Sequence, residues 1–281
     1  MKIARIEADS SIYLARIEKS GNAVLLREES RHPAADVLRE ALAAGTRLDG
    51  DGPVQLPGSF RLLAPVSNPS KFIGVGLNYH DHAEEGGNPV PDRPIIFHKG
   101  TNSIIGPTDP IRIDPTVTSQ VDFEVELAMV IGRETGPFVP PAAGSILGYT
   151  VCNDVTARDA QFSDVQWPRS KSFDTFGPLG PVIVTADSID PGSLTLWSDV
   201  SGVRMQNGTT ANLIFTPEQV FTYLAQFMTF EPGDVITTGT PAGVGFARTP
   251  PRFLAIGDIV EVHVDGIGSC VNRVMAIDRP S

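Results

Sequence analysis

Hydrophobic positions recur with two different periods along this chain. Residues 121–131 (VDFEVELAMVI) alternate strictly, so Val121, Phe123, Val125, Leu127, Met129 and Ile131 share one face of a strand. Shorter apolar runs at 72–75, 95–97, 123–131, 182–184, 235–238 and 259–264 are separated by Gly and Pro turns. A helical period is rarer. Residues 34–44 place Val37, Leu38, Ala41 and Leu42 on one face and stop at Gly45. Thr216-Pro217-Glu218-Gln219 has the capping-box form, with Val220, Tyr223, Leu224 and Phe227 following at helical spacing and Pro232-Gly233 ending the helix.

Before the long strands, 2–6, 12–17 and 24–26 read as short strands broken by polar turns. A stretch rich in Pro and Gly follows the first helix, with Pro53, Pro57, Gly58, Pro65 and Pro69. This pattern predicts a small N-terminal α/β unit over 1–66 and a larger domain over 67–281. Many strands with few helices predict an α+β, β-rich fold of sandwich or roll type.

Composition narrows the partners rather than the fold. Apolar residues are 41% and charged residues 20%, enough for an ordinary core. The net charge of -11 argues against nucleic acid, whose phosphates would be repelled. No apolar run reaches the length of a membrane span, and charges interrupt the first residues too early for a signal peptide, so a cytoplasmic location is expected. Cys152 and Cys270 show no metal-type spacing and are expected to be small buried thiols.

The opposite face of 121–131 carries Glu124 and Glu126, roughly 7 Å apart along the strand. Two carboxylates so placed repel, and a divalent cation removes the conflict. Read alone, the segment is equally an acidic, solvated face. The apolar Ala128 and Val130 beyond it favour burial. A third candidate, Asp154, stands in GYTVCNDVTARDAQ at the expected join of a strand and a short helix capped by Thr156, although taken alone the residue reads first as a turn cap. Arg158 and Gln161 fall three apart on that helix and face the same way. Three oxygen ligands without a convincing Cys or His fit Mg²⁺ or Mn²⁺ better than zinc.

A base is sought in GVGLNYHDHAEEGGNP. This is no dinucleotide fingerprint, because Tyr79 stands where a third glycine is needed. His82 and Glu85 share a face on one helical turn, where the carboxylate would orient the imidazole. The competing reading is a solvated polar turn. Gly86, Gly87 and Pro89 make the segment a candidate lid over 80–93. Lys171 offers a cation for a substrate carboxylate or oxyanion, or is a loop lysine. The backbone N–H groups of 239–245 and the Thr240 hydroxyl offer an anion site, or a plain turn.

Taken together, the runs GVGLNYHDHAEE, PIIFHKG, VDFEVELAMVIG, GYTVCNDVTARDAQ, KSFDTFGPLGP and GDVITTGTPAGVG resemble the fumarylacetoacetate hydrolase family, in the family's order, across about residues 71 to 245. The resemblance implies a mixed β-sandwich roll and a homodimer. It also implies Mg²⁺ or Mn²⁺ on Glu124, Glu126 and Asp154, and a His82–Glu85 pair that prepares the base on a mobile lid. Lys171 and Gln161 match residues near the substrate, and Thr240 matches a substrate-contacting threonine. Tyr79 and Arg158 complete the expected substrate-binding set. Eukaryotic fumarylacetoacetate hydrolases carry an additional metal aspartate before the catalytic histidine; no counterpart is evident, which favours the smaller acylpyruvase-like and oxo-diene dioate isomerase-like members. The expected activity is hydrolysis of a carbon–carbon bond in a small 2,4-dioxo acid through a metal-stabilised enolate. Decarboxylation of oxaloacetate, and isomerase or lyase chemistry on a 2-oxo-diene dioate, use the same enolate and stay open. So does a catalytically silent, metal-stabilised binding protein.

Overall fold

The computed structural model describes residues 1–30 and 36–277. The predicted strand-rich α+β architecture is what forms. Its largest sheet contains twelve strands and passes through Ala23–Glu28, Ser11–Ile17, Lys2–Ala8, Gly177–Thr185, Ile146–Asn153, Val125–Ile131, Val235–Thr237, Phe72–Gly76 and Ile95–His98 in that spatial order. The sheet is mixed: Val235–Thr237 and Phe72–Gly76 run parallel, most of the other neighbours antiparallel. A second sheet of five strands includes Val203–Thr209, Thr195–Val200, Ile259–Val264 and Gly268–Ala276.

Strand Val125–Ile131 lies between two cores, which explains its sequence. The odd-numbered Val121, Phe123, Val125, Leu127, Met129 and Ile131 all enter a core shared with Leu196, Val200, Val260, Val262 and Val264 of the second sheet. The even-numbered Ala128 and Val130 enter the opposite core, with Val37, Leu38 and Ala41 of the helix Val37–Ala43. A strand buried on both faces must be apolar on both, as its second half is. At Glu124 and Glu126 the second face is equally buried, so carboxylates stand there at a cost that needs compensation.

The N-terminal strands form an antiparallel meander whose first strand also pairs with Gly177–Thr185, Lys2 opposite Val184 and Ile3 opposite Ile183. The large sheet therefore includes residues on both sides of position 66. Of the helix expected over 34–44, residues 34 and 35 lie outside the described residues. The rest is capped by Asp36, whose carboxylate accepts from the N–H groups of Leu38 and Arg39.

Two expectations need correction. The strand 121–131 is interrupted: Val121–Asp122 pairs with Thr156–Ala157, and the long strand starts only at Val125. The helix begun by the Thr216 capping box ends at Ala225, seven residues before Pro232, and Phe227 is half exposed beyond it. The capping box itself forms, with both reciprocal hydrogen bonds in place. No helix among the described residues is long and apolar enough to cross a membrane. Both cysteines are buried and unpaired.

Candidate metal centre and its cavity

The strand break at Phe123–Glu124 creates the site. There the backbone leaves the ladder, and buried amides replace the missing partners. Asn153 Oδ1 accepts from Glu124 N–H at 3.0 Å, and Gln206 Oε1 accepts from Val125 N–H at 3.0 Å. Glu124 and Glu126 are thereby turned toward Asp154, which follows the neighbouring strand Ile146–Asn153. One carboxylate oxygen from each lies within 4.8 Å of the others, and all three residues are buried.

Positive groups surround part of this cluster. Lys171 Nζ donates to Glu124 and to Asp154, both at 2.7 Å. Lys99 Nζ lies 2.7 Å from the other Asp154 oxygen and also donates to the Lys171 carbonyl. Arg158 donates to Glu124 at 2.6 Å and to Asp122 at 2.8 Å. Burial would raise the Glu124 carboxyl, but Lys171, Arg158 and His82 outweigh it and hold it down to about 2. Burial would likewise discharge Lys171, yet the Asp154 and Glu124 carboxylates raise it above its ordinary value. Glu126 is treated differently. Among the described residues it forms no ion pair, accepting a hydrogen bond from Gly239 N–H at 2.8 Å. Burial, then Asp154 and Glu124, push its carboxyl well above the usual carboxylate range. A divalent cation among three such oxygens resolves that conflict, and the donor set fits one.

Glu124 and Glu126 of this cluster line a cavity of about 200 Å³, while Asp154 is fully buried outside its lining. Glu124, Glu126, Lys171, His82, Gln161 and Thr240 supply its polar lining, and Phe97, Phe162, Trp167 and Phe246 its apolar wall. His82 lies on the short helix His80–Glu85, with Nδ1 3.2 Å from Glu85 Oε2. The Gln161 amide oxygen accepts from Arg158 at 2.8 Å, leaving the nitrogen for a ligand.

Four expected roles look different in three dimensions. Tyr79 does not line the cavity; its ring is fully buried in the core that joins the two sheets, where a large apolar ring gains more than at a polar floor. Arg158 does line it, but Nε and both Nη atoms already donate to Asp122, Glu124 and Gln161, so it braces other side chains. Thr156 does not cap the following helix: its hydroxyl donates to the Asp154 carbonyl, and Ala157 takes the cap position. The backbone N–H groups of 239–245, a candidate anion site, and that of Phe246 beside them hold the chain's own carboxylates. Gly239 N–H holds Glu126, Gly243 N–H holds Glu85 at 2.8 Å, and Gly245 and Phe246 N–H groups hold Asp122 at 2.7 and 3.0 Å. Thr240 donates to the Val125 carbonyl and accepts from Gln206.

Sequence reasoning missed Asp122, Lys99, Asn153 and Gln206. Asp122 was within reach, since it extends the even-numbered face of Glu124 and Glu126. Lys99 was signalled only by the scarcity of lysine and its place in PIIFHKG. Nothing local marks Gln206, which lies on the distant strand Val203–Thr209.

A buried carboxylate triad with two members lining an aromatic-walled cavity, on a two-sheet β-sandwich, is an arrangement suited to holding an ion beside a small molecule. The family model for the fumarylacetoacetate hydrolase C-terminal domain matches residues 71–275. The chain belongs to the fumarylacetoacetate hydrolase family, whose members are enzymes and commonly bind a divalent metal. Its relatives differ in reaction. A mitochondrial oxaloacetate tautomerase of Xenopus laevis is 44% identical over 83% of this chain and 74% of its own length. The fumarylacetoacetate hydrolase of Exiguobacterium antarcticum is 38% identical, covers 99% of this chain and 100% of that one, and superposes with a TM-score of 0.87. A 5-carboxymethyl-2-hydroxymuconate delta-isomerase from Mycobacterium smegmatis is 36% identical, with 99% and 100% coverage and a TM-score of 0.80.

Proposed function

We propose that this chain is a Mg²⁺- or Mn²⁺-dependent hydrolase that cleaves a carbon–carbon bond in a small 2,4-dioxo acid of acylpyruvate type. The observation that carries the reading is the shared cavity: Glu124 and Glu126 of the carboxylate triad and the Glu85-oriented His82 face one space of about 200 Å³. That volume is below the ~300–1,000 Å³ of drug-sized ligand pockets, which suits a compact acid. An ion held by Glu124, Glu126 and Asp154 supplies, when bound, a positive centre for the 2-oxo acid oxygens and for the charge that develops as the bond breaks.

The chain's own groups do the rest. Glu85 occupies His82 Nδ1, so Nε2 is the nitrogen left for proton transfer. His82 takes a proton from water, and the hydroxide oxygen bonds to the distal carbonyl carbon. The carbon–carbon bond then breaks, its electron pair stays on the 2-oxo acid fragment, and the proton on His82 returns to that carbon. Lys171, held charged, lies beside the developing oxyanion. The Gln161 amide nitrogen orients the substrate, and the aromatic wall excludes bulk water.

A second reading has support from the relatives' names. If His82 takes its proton from carbon instead of water, the same site performs an enol shift without cleavage, as the tautomerase and delta-isomerase names describe for those proteins. One assay separates the two. Acylpyruvates, oxaloacetate and 2-oxo-diene dioates are offered with Mg²⁺ and with chelator, and both enol absorbance and fragment release are followed. Hydrolysis gives a carboxylic acid and a 2-oxo acid in equal amounts; an enol shift changes absorbance without fragments. No turnover of any of them with Mg²⁺ defeats both readings. Replacing His82 with Ala is expected to lower turnover about 10²–10⁴-fold, the usual worth of a general base. Unchanged turnover removes His82 from the mechanism.

A further inference from the structure

Asp122 is fully buried and lies just outside the carboxylate triad. Its two oxygens accept four hydrogen bonds. Oδ1 takes the N–H groups of Phe123 at 2.8 Å and Gly245 at 2.7 Å; Oδ2 takes Phe246 N–H at 3.0 Å and Arg158 Nε at 2.8 Å. The backbone has been shaped to permit this. A Cβ on Gly245 would lie 2.6 Å from Asp122 Oδ1 and 2.1 Å from the Arg252 carbonyl oxygen, so only glycine brings its N–H so near. The pairing of Val121–Asp122 with Thr156–Ala157 sets Asp122 opposite Thr156, two residues before Arg158.

The planar guanidinium transmits that placement. With Nε fixed on Asp122, Nη2 reaches Glu124 Oε1 at 2.6 Å and Nη1 reaches the Gln161 amide at 2.8 Å. The Phe246 ring covers the guanidinium, 4.4 Å from its centre. Three fixed contacts and one stacked face leave the fork a single orientation. Glu124 is a member of the triad and Gln161 lines the cavity, so one rigid group ties the ion site to the ligand site.

We propose that Asp122 is a positioning residue, which through Arg158 fixes Glu124 for the ion and Gln161 for the substrate. The proposal rests on the metal-dependent reading above. Asp122 touches neither ion nor substrate. Its effect comes from denying Arg158 any other rotamer.

The test is a titration of the full-length chain with Mn²⁺ alone, free Mn²⁺ being read by its paramagnetic resonance signal. Asp122→Asn is nearly isosteric, but its amide N–H groups meet N–H donors on one side or the other. Arg158→Lys keeps a cation and loses the fork. Each variant is expected to weaken Mn²⁺ binding about 10–100-fold, as removal of groups that orient metal ligands does. The double variant is expected to lose no more than the weaker single one, because the two residues act in series. Unchanged Mn²⁺ affinity in either single variant overturns the proposal, as do losses that multiply. If Asp122→Asn does not fold, Arg158→Lys alone decides on the same criterion. A wild-type chain that binds no Mn²⁺ defeats the metal-dependent reading itself, an outcome distinct from wild-type binding that survives in the variants.

Discussion

Gln206 bridges the second sheet and the strand break beside the site, although it does not line the cavity. It is fully buried on strand Val203–Thr209, in the second sheet. Its carbonyl accepts from Val125 N–H at 3.0 Å and Ser198 Oγ at 2.9 Å. Its amide donates to Thr240 Oγ1 at 2.7 Å and to the Pro241 carbonyl at 2.9 Å. Gln206→Leu keeps the bulk and removes all four bonds. The Ser198 and Thr240 hydroxyls can rotate, but Val125 N–H and the Pro241 carbonyl are backbone groups fixed in place. A buried polar group left without a partner costs ~1–3 kcal/mol, so two of them cost about 2–4 kcal/mol once partial entry of water is allowed. At ~2–4 °C per kcal/mol for a chain near this size, the melting temperature should fall by roughly 5–15 °C. Val125 lies between Glu124 and Glu126, so the spacing of two ligands loosens as well. Thermal unfolding followed by circular dichroism, with and without Mg²⁺, reads the first effect; Mn²⁺ titration reads the second. A melting temperature within measurement error of wild type, together with unchanged Mn²⁺ affinity, would refute the claim that Gln206 bridges the strand break.

Two further outcomes are expected. Glu126 is raised well above the carboxylate range by burial and by its acidic neighbours, so in the ion-free chain its contribution to stability is present below the ordinary carboxylate value and is lost as pH rises through the raised one. Glu124 behaves oppositely: its contribution is present above about 4.5 and is lost as pH falls toward about 2. Ion binding at a pH between the ordinary carboxylate value and the raised one should therefore release a proton from Glu126, measurable by calorimetry in two buffers of different ionisation enthalpy; uptake of Mn²⁺ without proton release there contradicts this. Gly243 has φ +103°, and a Cβ there would lie 2.4 Å from the Met205 carbonyl oxygen. Gly243→Ala should pull its N–H from Glu85 and leave His82 poorly oriented, lowering kcat by about tenfold or more, toward the ~10²–10⁴ of losing the base outright. Mn²⁺ affinity should change little. A kcat equal to wild type would disconnect that N–H from His82.

Much of the site was legible because it lies on regular elements. Period-two alternation put Glu124 and Glu126 on one face, and three-residue spacing put His82 beside Glu85, since both inferences use only local backbone geometry. The same logic extended by one position reaches Asp122. The break at Phe123–Glu124 was not legible, because the hydrophobic alternation continues through it. What interrupts the ladder is a pair of amides, Asn153 and Gln206, that arrive from other strands. Arg158 and Thr240 line the cavity, yet each already donates to groups within the chain, which no spacing rule reveals.

Periodicity and motif order along the chain were enough to anticipate a β-rich sandwich and to single out Glu124, Glu126, Asp154, His82 and Lys171, which the fold brings together. Those properties follow from side-chain periodicity and from motifs whose order is fixed along one dimension. Only the folded chain shows that Glu126 forms no ion pair among the described residues, and that the glycine loop at 239–246 grips three of the chain's own carboxylates. Each of these depends on which groups fill the space around a residue, and those groups come from positions tens to more than a hundred residues away.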